Sequence, residues 1–472
     1  LKPFWFYRRG SSAFAVGFYG PRVFIMRSVS ICLCSYLLAC LDALQLPSVH
    51  TDVGLKDEPS NWWAQLGNRI YYSPPTALIG LSQNVSDYYY ALGSKSALSE
   101  DMKKHCVGSQ GVYHIFHLPS GPSMLELSQQ IGDRRGALSQ VHQLKHGMKL
   151  EEGYPIYELD AEYKNPLDQT GQDLEKAGVD EMTPKLAMDY LSKLTAFPTR
   201  SYSNSTASGQ VEHWLKDQFE KLGMTACFHS FDNNGQQLVN VVGFVPGATQ
   251  QSVTVGAHYD SRPFEGMAPG AVDNGSGVSV LLTMAKAFMK TKVSPKHNVY
   301  FVAFAGEEPG LIGSQHFATA LKEDGAGLPG QCRGQFGSSF LQAKSRRAQA
   351  FPGKHRGIIL DEIGWKSGKL SKYTVNLETT DELGKVVMDH LRHASNDHNG
   401  DDLEVVHNAH PYGSDHMSWL NNGMEAVLSI NGDDEGYPFY HRSDDTINNV
   451  SPKLLSSIGK MNYGGLMRMC MI

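Results

Sequence analysis

The sequence predicts a three-layer α/β/α fold around a central, mostly parallel mixed sheet. From about residue 180 onward, short apolar runs alternate with amphipathic segments of helical period. Strands that alternate with helices form a mostly parallel sheet, which the helices cover on both faces. A hydrophobic fraction of 41% in a chain of 472 residues is ordinary for a protein with a sizeable core.

The individual elements follow from the spacing of apolar residues. In the helix predicted over 184–197, Leu186, Met188, Leu191 and Leu194 lie on one face. Further helices are predicted over 208–222, 277–289, 310–321, 381–394 and 451–469. Strands are predicted over 238–245, 252–256, 299–305, 357–360 and 425–430.

The first third of the chain carries no motif with recognisable chemistry. We expect residues 1–25 to be upstream sequence outside the translated protein or a fragment artefact. A short basic region before an apolar run predicts a secretory signal peptide over 26–44, with a signal anchor or a buried helix as the alternative. The polar, irregular stretch 45–178 is predicted to be a propeptide or accessory region before the main domain, 179–472. Within that domain, 322–356 lacks periodicity and is predicted to be a surface insertion.

Composition narrows the compartment and the partners. The net charge of −6 and the lack of basic blocks give no indication of a nucleic-acid partner. The apolar run is too short to span a bilayer comfortably, so no stable membrane insertion is expected after signal cleavage. The four cysteines beyond the signal lack CxxC spacing, so we expect one disulfide or none and no cysteine zinc site. These cysteines are Cys106, Cys227, Cys332 and Cys470. Sequons that suit an exported glycoprotein lie at Asn84, Asn204 and Asn449.

Histidine and acidic side chains follow successive predicted strands. Open α/β sheets bind ligands at the carboxyl ends of their strands, so these side chains are expected to converge at one edge. Imidazole nitrogen and carboxylate oxygen are ligands that zinc accepts. The side chains at these positions, in chain order, are His258, Asp260, Asp273, Glu307, Glu308, Asp361, Glu362, His441, Asp444 and Asp445.

Charge and spacing refine this candidate site. Two neutral imidazoles and three carboxylates give −3, which fits the +4 of two zinc ions and a hydroxide better than one zinc. Asp260 lies two residues after His258 on the same face of a strand end, where it would orient the imidazole. The side chains of the adjacent Glu307 and Glu308 should diverge, so one would bind metal and the other act as general base. Taken alone, either pair is also compatible with a solvated surface position.

Six motifs in this order resemble the dinuclear-zinc exopeptidase family typified by bacterial leucyl aminopeptidase, and the resemblance covers residues 180–472. The motifs are His-Tyr-Asp-Ser from 258, Pro-Gly-Ala-Val-Asp-Asn-Gly-Ser-Gly from 269, Gly-Glu-Glu-x-Gly-Leu-x-Gly-Ser from 306, Leu-Asp from 360, Gly-Ser-Asp-His-x-Ser-Trp from 413 and His-x-x-x-Asp-Thr from 441. The resemblance implies two zinc ions per chain. Asp273 would bridge both ions. His258 and Asp361 would complete one zinc site, and Glu308 and His441 the other.

The resemblance also implies roles for residues beside the metals. Glu307 would be the general base, and Asp260 would orient His258. Asp445 would support His441, and Tyr440 would stabilise the tetrahedral intermediate. The sequence departs from some relatives before Ser414, because the disulfide they carry there has no cysteines here.

The activity implied is that of a secreted metallo-aminopeptidase that hydrolyses peptides with a free N-terminus, with a preference for large apolar first residues. We expect it to be a monomer, in the secretory or vacuolar lumen if not secreted. Alternatives on the same fold are a carboxypeptidase, which needs an arginine clamp such as Arg262 or Arg442, and a glutaminyl cyclase, which needs one zinc. A non-enzymatic binding protein would lack one or more ligands, and none is missing.

Two other groups of polar residues are predicted to carry no chemistry. Ser414, Asp415 and His416 are consecutive and cannot adopt the geometry of a catalytic triad. The histidines of the helix over 381–394 and just beyond it are interpreted as solvated helix residues. They are His390, His393 and His398.

Overall fold

A computed structural model describes residues 157–471, apart from 158, 234, 324, 326, 334–353 and 409–412, together with short segments between residues 48 and 150. The predicted upstream segment 1–25, the signal peptide 26–44, the sequon at Asn84 and most of the insertion 322–356 lie outside the described residues. None of the described helices is long and apolar enough to cross a membrane.

Two four-stranded sheets lie in the stretch predicted to be irregular. Their strand orders are β1-β3-β2-β8 and β5-β6-β4-β7. The strands are β1 (Ser48–His50), β2 (Trp63–Leu66), β3 (Arg69–Tyr72), β4 (Tyr88–Leu92), β5 (Cys106–Gln110), β6 (Tyr113–His117), β7 (His142–Gln143) and β8 (Met148–Leu150). Strands of two to five residues are shorter than the windows in which periodicity can be measured, which explains why the sequence did not predict them. A propeptide or accessory role for 45–178 stays a prediction.

The larger sheet has eight strands in the order β15-β14-β16-β13-β11-β12-β10-β9. They are β9 (Thr225–Asn233), β10 (Gln236–Val245), β11 (Ser252–His258), β12 (Asn298–Phe304), β13 (His355–Leu360), β14 (Thr374–Glu378), β15 (Glu404–Asn408) and β16 (Glu425–Asn431). The centre is parallel, because β11 pairs in parallel with β12 and β13, and β13 with β16. Antiparallel pairings of β10 with β9 and β12, and of β14 with β16, make the sheet mixed. All five predicted strands are confirmed.

Helices cover both faces of this sheet, so the three-layer prediction is confirmed. They are α1 (Gln169–Val179), α2 (Pro184–Leu194), α3 (Ser205–Lys221), α4 (Gly277–Thr291), α5 (Ile312–Lys322), α6 (Asp381–Asn399), α7 (His416–Leu420) and α8 (Pro452–Cys470). One core contains residues from α1 to α4, α6 and α8, and the other contains residues from α5 and α7. Side chains of a strand alternate between these cores: Phe301 of β12 lies in the first, and Tyr300 and Val302 lie in the second.

Helix α1 crosses the predicted domain boundary at 178/179. Leu167 and Val179 belong to the first core, so a cut at this boundary would remove a packed helix from the larger unit. No apolar stripe indicates this helix, because its buried positions are mainly glycine and glutamate.

The histidines of α6 contact the segment that leads into α1. The Nδ1 atom of His390 lies 2.9 Å from the hydroxyl of Tyr163, and the ring of His393 stacks on the same tyrosine. His398 places Nε2 2.7 Å from the Glu175 carboxylate. The interpretation of these histidines as solvated is therefore wrong, because they hold a segment that the sequence analysis assigned to a different domain.

One disulfide, between Cys227 and Cys332, joins β9 to the described start of the predicted insertion. Cys106 and Cys470 are not in disulfides. This agrees with the expectation of at most one disulfide.

Candidate metal centre

Three adjacent strands of the larger sheet end beside one another. His258 is the last residue of β11, Asp361 follows β13 directly, and Glu307 and Glu308 follow β12 after a short turn. Because β11 lies between β12 and β13 in parallel, the sheet brings these side chains to one edge. Asp273 lies on a buried, kinked segment, Ala271–Ser276, which leads into α4 and is not helical at Asp273 itself.

The first half of the site surrounds the His258 imidazole. Its Nε2 atom lies 3.2 Å from Oδ1 of Asp361 and 3.4 Å from Oδ1 of Asp273. An oxygen of Glu307 lies somewhat farther from the same nitrogen, at 3.9 Å. The His258 side chain is 1% exposed, so the ring is enclosed by carboxylates rather than by water.

The second half surrounds His441, which lies in the loop between β16 and α8. Its Nε2 atom is 3.3 Å from Oδ2 of Asp273 and 3.0 Å from Oε2 of Glu308. The same Glu308 oxygen lies 3.0 Å from Nε of Arg262. The two oxygens of Asp273 therefore face the two histidines, one in each half of the site. The structure brings all five predicted ligands together.

The electrostatics of this cluster fit a bound cation. Burial raises the pKa of Glu307 well above its usual range, and the carboxylates of Asp361 and Glu308 add to this effect. Burial lowers the pKa of His258, but the carboxylates of Asp361 and Glu307 outweigh this effect and raise that pKa well above its usual range.

Oε1 of Glu308 is buried without a hydrogen-bond partner among the described residues. Imidazole and carboxylate groups are a donor set that zinc accepts, so the residues present fit the implied metal. The ligand atoms of His258, Asp273 and Glu308 lie within 4.8 Å of one another.

Asp260 connects the two halves of the cluster. Its carboxylate accepts hydrogen bonds from the backbone N–H groups of Glu307, at 3.2 Å, and Glu308, at 3.3 Å. Oδ1 of Asp260 also lies 3.5 Å from Nδ1 of His258, whose hydrogen-bond partner is the Asp260 carbonyl oxygen at 3.2 Å. The predicted contact with His258 is present, and the contacts with the paired glutamates were not foreseen.

The predicted partner of Asp445 differs from the one that the structure shows. Its carboxylate accepts hydrogen bonds from the backbone N–H groups of Val272, at 2.9 Å, and Asp273, at 3.0 Å, rather than from His441. The hydroxyl of Tyr437 donates a further hydrogen bond of 2.6 Å to the same carboxylate. Asp445 thus fixes the loop of Asp273, since two backbone amides offer more donors than one imidazole.

Tyr440 lies directly against a histidine of the site. Its ring stacks on the imidazole of His441, with centroids 3.6 Å apart. The tyrosine is half-buried, so its ring limits the positions open to the imidazole. This contact places Tyr440 beside the cluster without assigning a role to its hydroxyl.

Two residues at this site were missed from the sequence. Ser414 donates a hydrogen bond of 2.8 Å to Oδ2 of Asp361, although it had been considered only as part of a false triad. Arg200 is fully buried beside the cluster and binds three backbone carbonyl groups. The Gly-Ser-Asp-His motif was a signal for Ser414, whereas no pattern in the sequence indicated Arg200.

Known proteins resemble this chain in sequence and in fold. Aminopeptidase YwaD of Bacillus subtilis (strain 168) is 32% identical over 212 residues, which cover 44% of this chain and 39% of that protein. A probable leucine aminopeptidase of Trichophyton verrucosum (strain HKI 0517) is 28% identical over 272 residues, covering 54% of this chain and 65% of that protein. The chain therefore spans less than two thirds of the length of these curated relatives.

The fold also resembles the crystal structure of LapB from Legionella pneumophila. The TM-score is 0.54 at 20% sequence identity, with 82% of this chain and 100% of that chain covered. The sequence model of Peptidase family M28 matches residues 240–464, which contain all five residues of the acidic and histidine cluster. Residues 240–464, slightly less than half of the chain, therefore resemble peptidase family M28 in sequence.

Proposed function

We propose that this chain is a secreted zinc aminopeptidase that removes the N-terminal residue from peptides. One observation carries the proposal: two histidines and three carboxylates converge at the edge of the sheet, with Glu307 beside them. The names of the relatives support the activity, and the family match supports peptide hydrolysis.

Five side chains would hold two zinc ions. Asp273 would be shared, because its two oxygens face different histidines. His258 and Asp361 would complete one set of ligands, and Glu308 and His441 the other. Bound zinc polarises a carbonyl group and lowers the pKa of a coordinated water.

Glu307 would act as the general base. Its carboxylate follows β12, lies 3.9 Å from the His258 imidazole and is buried. Burial raises its pKa, so it accepts a proton more readily than an exposed carboxylate. It would take the proton of the attacking water and then give it to the leaving amine. Tyr440 would donate a hydrogen bond to the oxygen of the tetrahedral intermediate.

The charge of the site favours a free substrate amino group. With two zinc ions and a hydroxide bound, the five ligands would be close to neutral, and the further buried carboxylates of Asp260 and Glu307 would attract an ammonium group. Arg262, a candidate clamp for a carboxypeptidase, is paired with Glu308 and is almost fully buried. The ring of Tyr437, whose hydroxyl binds Asp445, contacts the rings of Trp365 and Phe439, and an apolar first residue of the substrate would bind against this aromatic group.

Export is part of the same proposal. A disulfide is stable in an oxidising compartment, so the Cys227–Cys332 bond supports secretion. Asn204 is exposed, as glycosylation requires, whereas Asn449 is half-buried and its amide nitrogen donates a hydrogen bond of 2.7 Å to the carbonyl oxygen of Asp444. A cleaved signal peptide, a monomeric state and removal of residues 45–178 complete the proposal.

The central test is the substitution Glu307→Ala. We expect zinc content to stay near two ions per chain while hydrolysis of a leucine anilide falls by roughly 10²- to 10⁴-fold, because a general base is lost. Glu425→Ala is a matched control, since Glu425 begins β16 at the opposite end of the sheet and pairs with Arg356. Unchanged turnover in Glu307→Ala would rule out this assignment.

Substrate termini distinguish the alternatives on the same fold. The protein is incubated with four forms of one peptide: the free peptide, an N-blocked form, a C-blocked form and a form that begins with glutamine. An aminopeptidase cleaves the forms with a free N-terminus, including the C-blocked form, and leaves the N-blocked form intact. Cleavage that needs a free C-terminus would favour a carboxypeptidase, and release of ammonia from N-terminal glutamine a glutaminyl cyclase.

A further inference from the structure

Arg200 is a buried arginine on the segment between α2 and α3. Its side chain is fully buried, and it lies outside residues 240–464, which match the family model. Among the described residues, no carboxylate lies within ion-pair distance of its guanidinium group. A buried charge without a paired carboxylate is costly, so its hydrogen bonds must hold it in place.

All three guanidinium nitrogens donate to backbone carbonyl groups. Nε binds the carbonyl oxygen of Tyr259 at 2.8 Å. Nη1 binds that of Pro269 at 2.5 Å, and Nη2 that of Gly270 at 2.8 Å. The backbone N–H of Arg200 adds a hydrogen bond of 3.2 Å to the hydroxyl of Ser261.

These partners lie at the two ends of one loop. Tyr259 follows the candidate ligand His258, and Gly270 precedes Asp273 by three residues. Ser261 also donates a hydrogen bond of 2.8 Å to the carbonyl oxygen of Ala268, which joins the same two ends. The loop therefore closes on the Arg200 guanidinium at both ends.

We infer that Arg200 is a positioning residue, which clamps the loop over 259–270 and so fixes the separation of His258 and Asp273 for metal binding. The inference rests on the proposed zinc centre. Arg200 touches neither proposed ligand side chain by hydrogen bond, so it acts through the backbone of the loop. Outer contacts of this kind orient metal ligands and influence metal affinity.

The shape of the guanidinium group suits this position. Its planar fork offers donors in several fixed directions, whereas a lysine ammonium presents its three donors from a single atom. The loop is fitted closely around the fork, because a Cβ atom at Gly270 would lie 2.8 Å from Nη2 of Arg200. Gly270 also has a φ of +49°, where side chains are disfavoured.

The charge of Arg200 works against cation binding. Burial lowers its pKa to about 10, and carboxylates including Asp445 and Asp273 oppose that effect, so the group is cationic at neutral pH. A cation near the cluster repels a metal ion. Removal of the charge alone would therefore strengthen zinc binding, and removal of the clamp would weaken it. The two effects have opposite signs, which makes the inference testable.

The test measures the zinc dissociation constant of the full chain by competition with a chelator of known affinity. For Arg200→Met we expect the constant to rise roughly 10- to 100-fold. Arg200→Lys loses the fork but keeps the charge, and with it the repulsion of the metal, so its constant should also rise by at least about tenfold. A constant that is unchanged or lower in both variants would overturn the inference.

Arg468→Met is the matched control for loss of a buried arginine. Arg468 is also almost fully buried, but it pairs with Glu175 and Asp397. The end of α8 accepts hydrogen bonds from Lys296 and His297 at the start of β12, so this arginine lies at the opposite end of the sheet. We expect this variant to be less stable and to bind zinc as the unmodified chain does. An equal loss of zinc affinity in both variants would indicate general destabilisation and contradict the inference.

Ser261→Ala decides the question if the arginine variants do not fold. It removes one connection between the ends of the loop and leaves every charge in place. A net hydrogen bond contributes about 1 kcal/mol, so we expect zinc binding to weaken about fivefold. Unchanged binding in this variant would contradict the clamp. If the unmodified chain binds no zinc, the proposed metal centre is wrong. If it binds zinc and neither the two Arg200 variants nor Ser261→Ala changes the affinity, only this inference is wrong.

Discussion

The two halves of the candidate metal centre, one around His258 and the other around His441, are held in different ways. His258 and Asp361 stand at the ends of adjacent parallel strands, so the hydrogen bonds of the sheet fix their distance. His441 lies in the loop between β16 and α8, with a φ of +58°. Its neighbours in the cluster, Asp273 and Glu308, also lie beyond the strands.

This difference explains where the supporting contacts are found. Asp260 binds the backbone amides of the paired glutamates, and Asp445 binds the backbone amide of Asp273. For His258, the sheet already supplies the position. We therefore expect the ligands borne on loops to depend on outside contacts, and the ligands borne on the sheet to contribute more to the stability of the fold.

The largest expected effects come from removing one histidine of each half. His258→Ala and His441→Ala should each lower turnover on the order of 10³-fold, because zinc supplies several kcal/mol of charge stabilisation.

The effects of the two substitutions on the free energy of unfolding should differ. The His258 ring is 1% exposed, and its loss should cost about 3 kcal/mol. The His441 ring is 13% exposed and its partner Glu308 keeps an ion pair with Arg262, so its loss should cost about 1 kcal/mol. Urea unfolding with a chelator present measures this difference. Equal costs would refute the distinction between the two halves.

An intermediate effect is expected from Asp445→Asn. Asparagine has one acceptor oxygen and no negative charge, so the backbone N–H groups of Val272 and Asp273 lose a charged acceptor and have to share a single oxygen. Zinc affinity should fall roughly 10-fold or more. Tyr437→Phe is the control, because it removes only the hydroxyl that donates to Asp445 and should weaken binding about fivefold at most. A larger effect from Tyr437→Phe than from Asp445→Asn would show that the loop is not held by this carboxylate.

The sequence predicted the parts of the fold that are periodic. The strands at 252–256 and 299–305 are fully buried apolar runs, and both are present. Helix α1 was missed because its buried positions include Gly171, Glu175 and Gly178, which carry no apolar signal. Contacts over long separations, such as that of Glu175 with Arg468, decide its packing and cannot be inferred from local spacing.

The candidate site shows the same limit. The order of strand ends predicted that His258 and Asp361 would meet, and the motifs predicted which loop residues would join them. The partner of Asp445 was wrong, because two backbone amides lie closer than the imidazole in a loop whose path the sequence does not specify. Arg200 was missed for the same reason, since its three acceptors are backbone carbonyl groups, which leave no trace in side-chain patterns.

The smallest effect on the site is expected from Glu175→Gln, which alters a buried ion pair away from the cluster. Burial raises the pKa of Glu175, but hydrogen bonds from His398 and Arg468 outweigh it and hold that pKa below its ordinary value of 4.5. The ionised carboxylate therefore adds stability above about pH 4.5, and this contribution is lost as the pH falls through the lower pKa of the folded state. The variant should be about 3 kcal/mol less stable at pH 7, with a smaller deficit in acid and unchanged zinc affinity. Urea unfolding at pH 7 and at a pH below about 4.5 measures the stability deficit, and the zinc competition assay measures the affinity. A deficit that grows in acid would contradict a stabilising ionised carboxylate at Glu175. A loss of zinc affinity would show that this helical region and the candidate metal centre are coupled rather than independent.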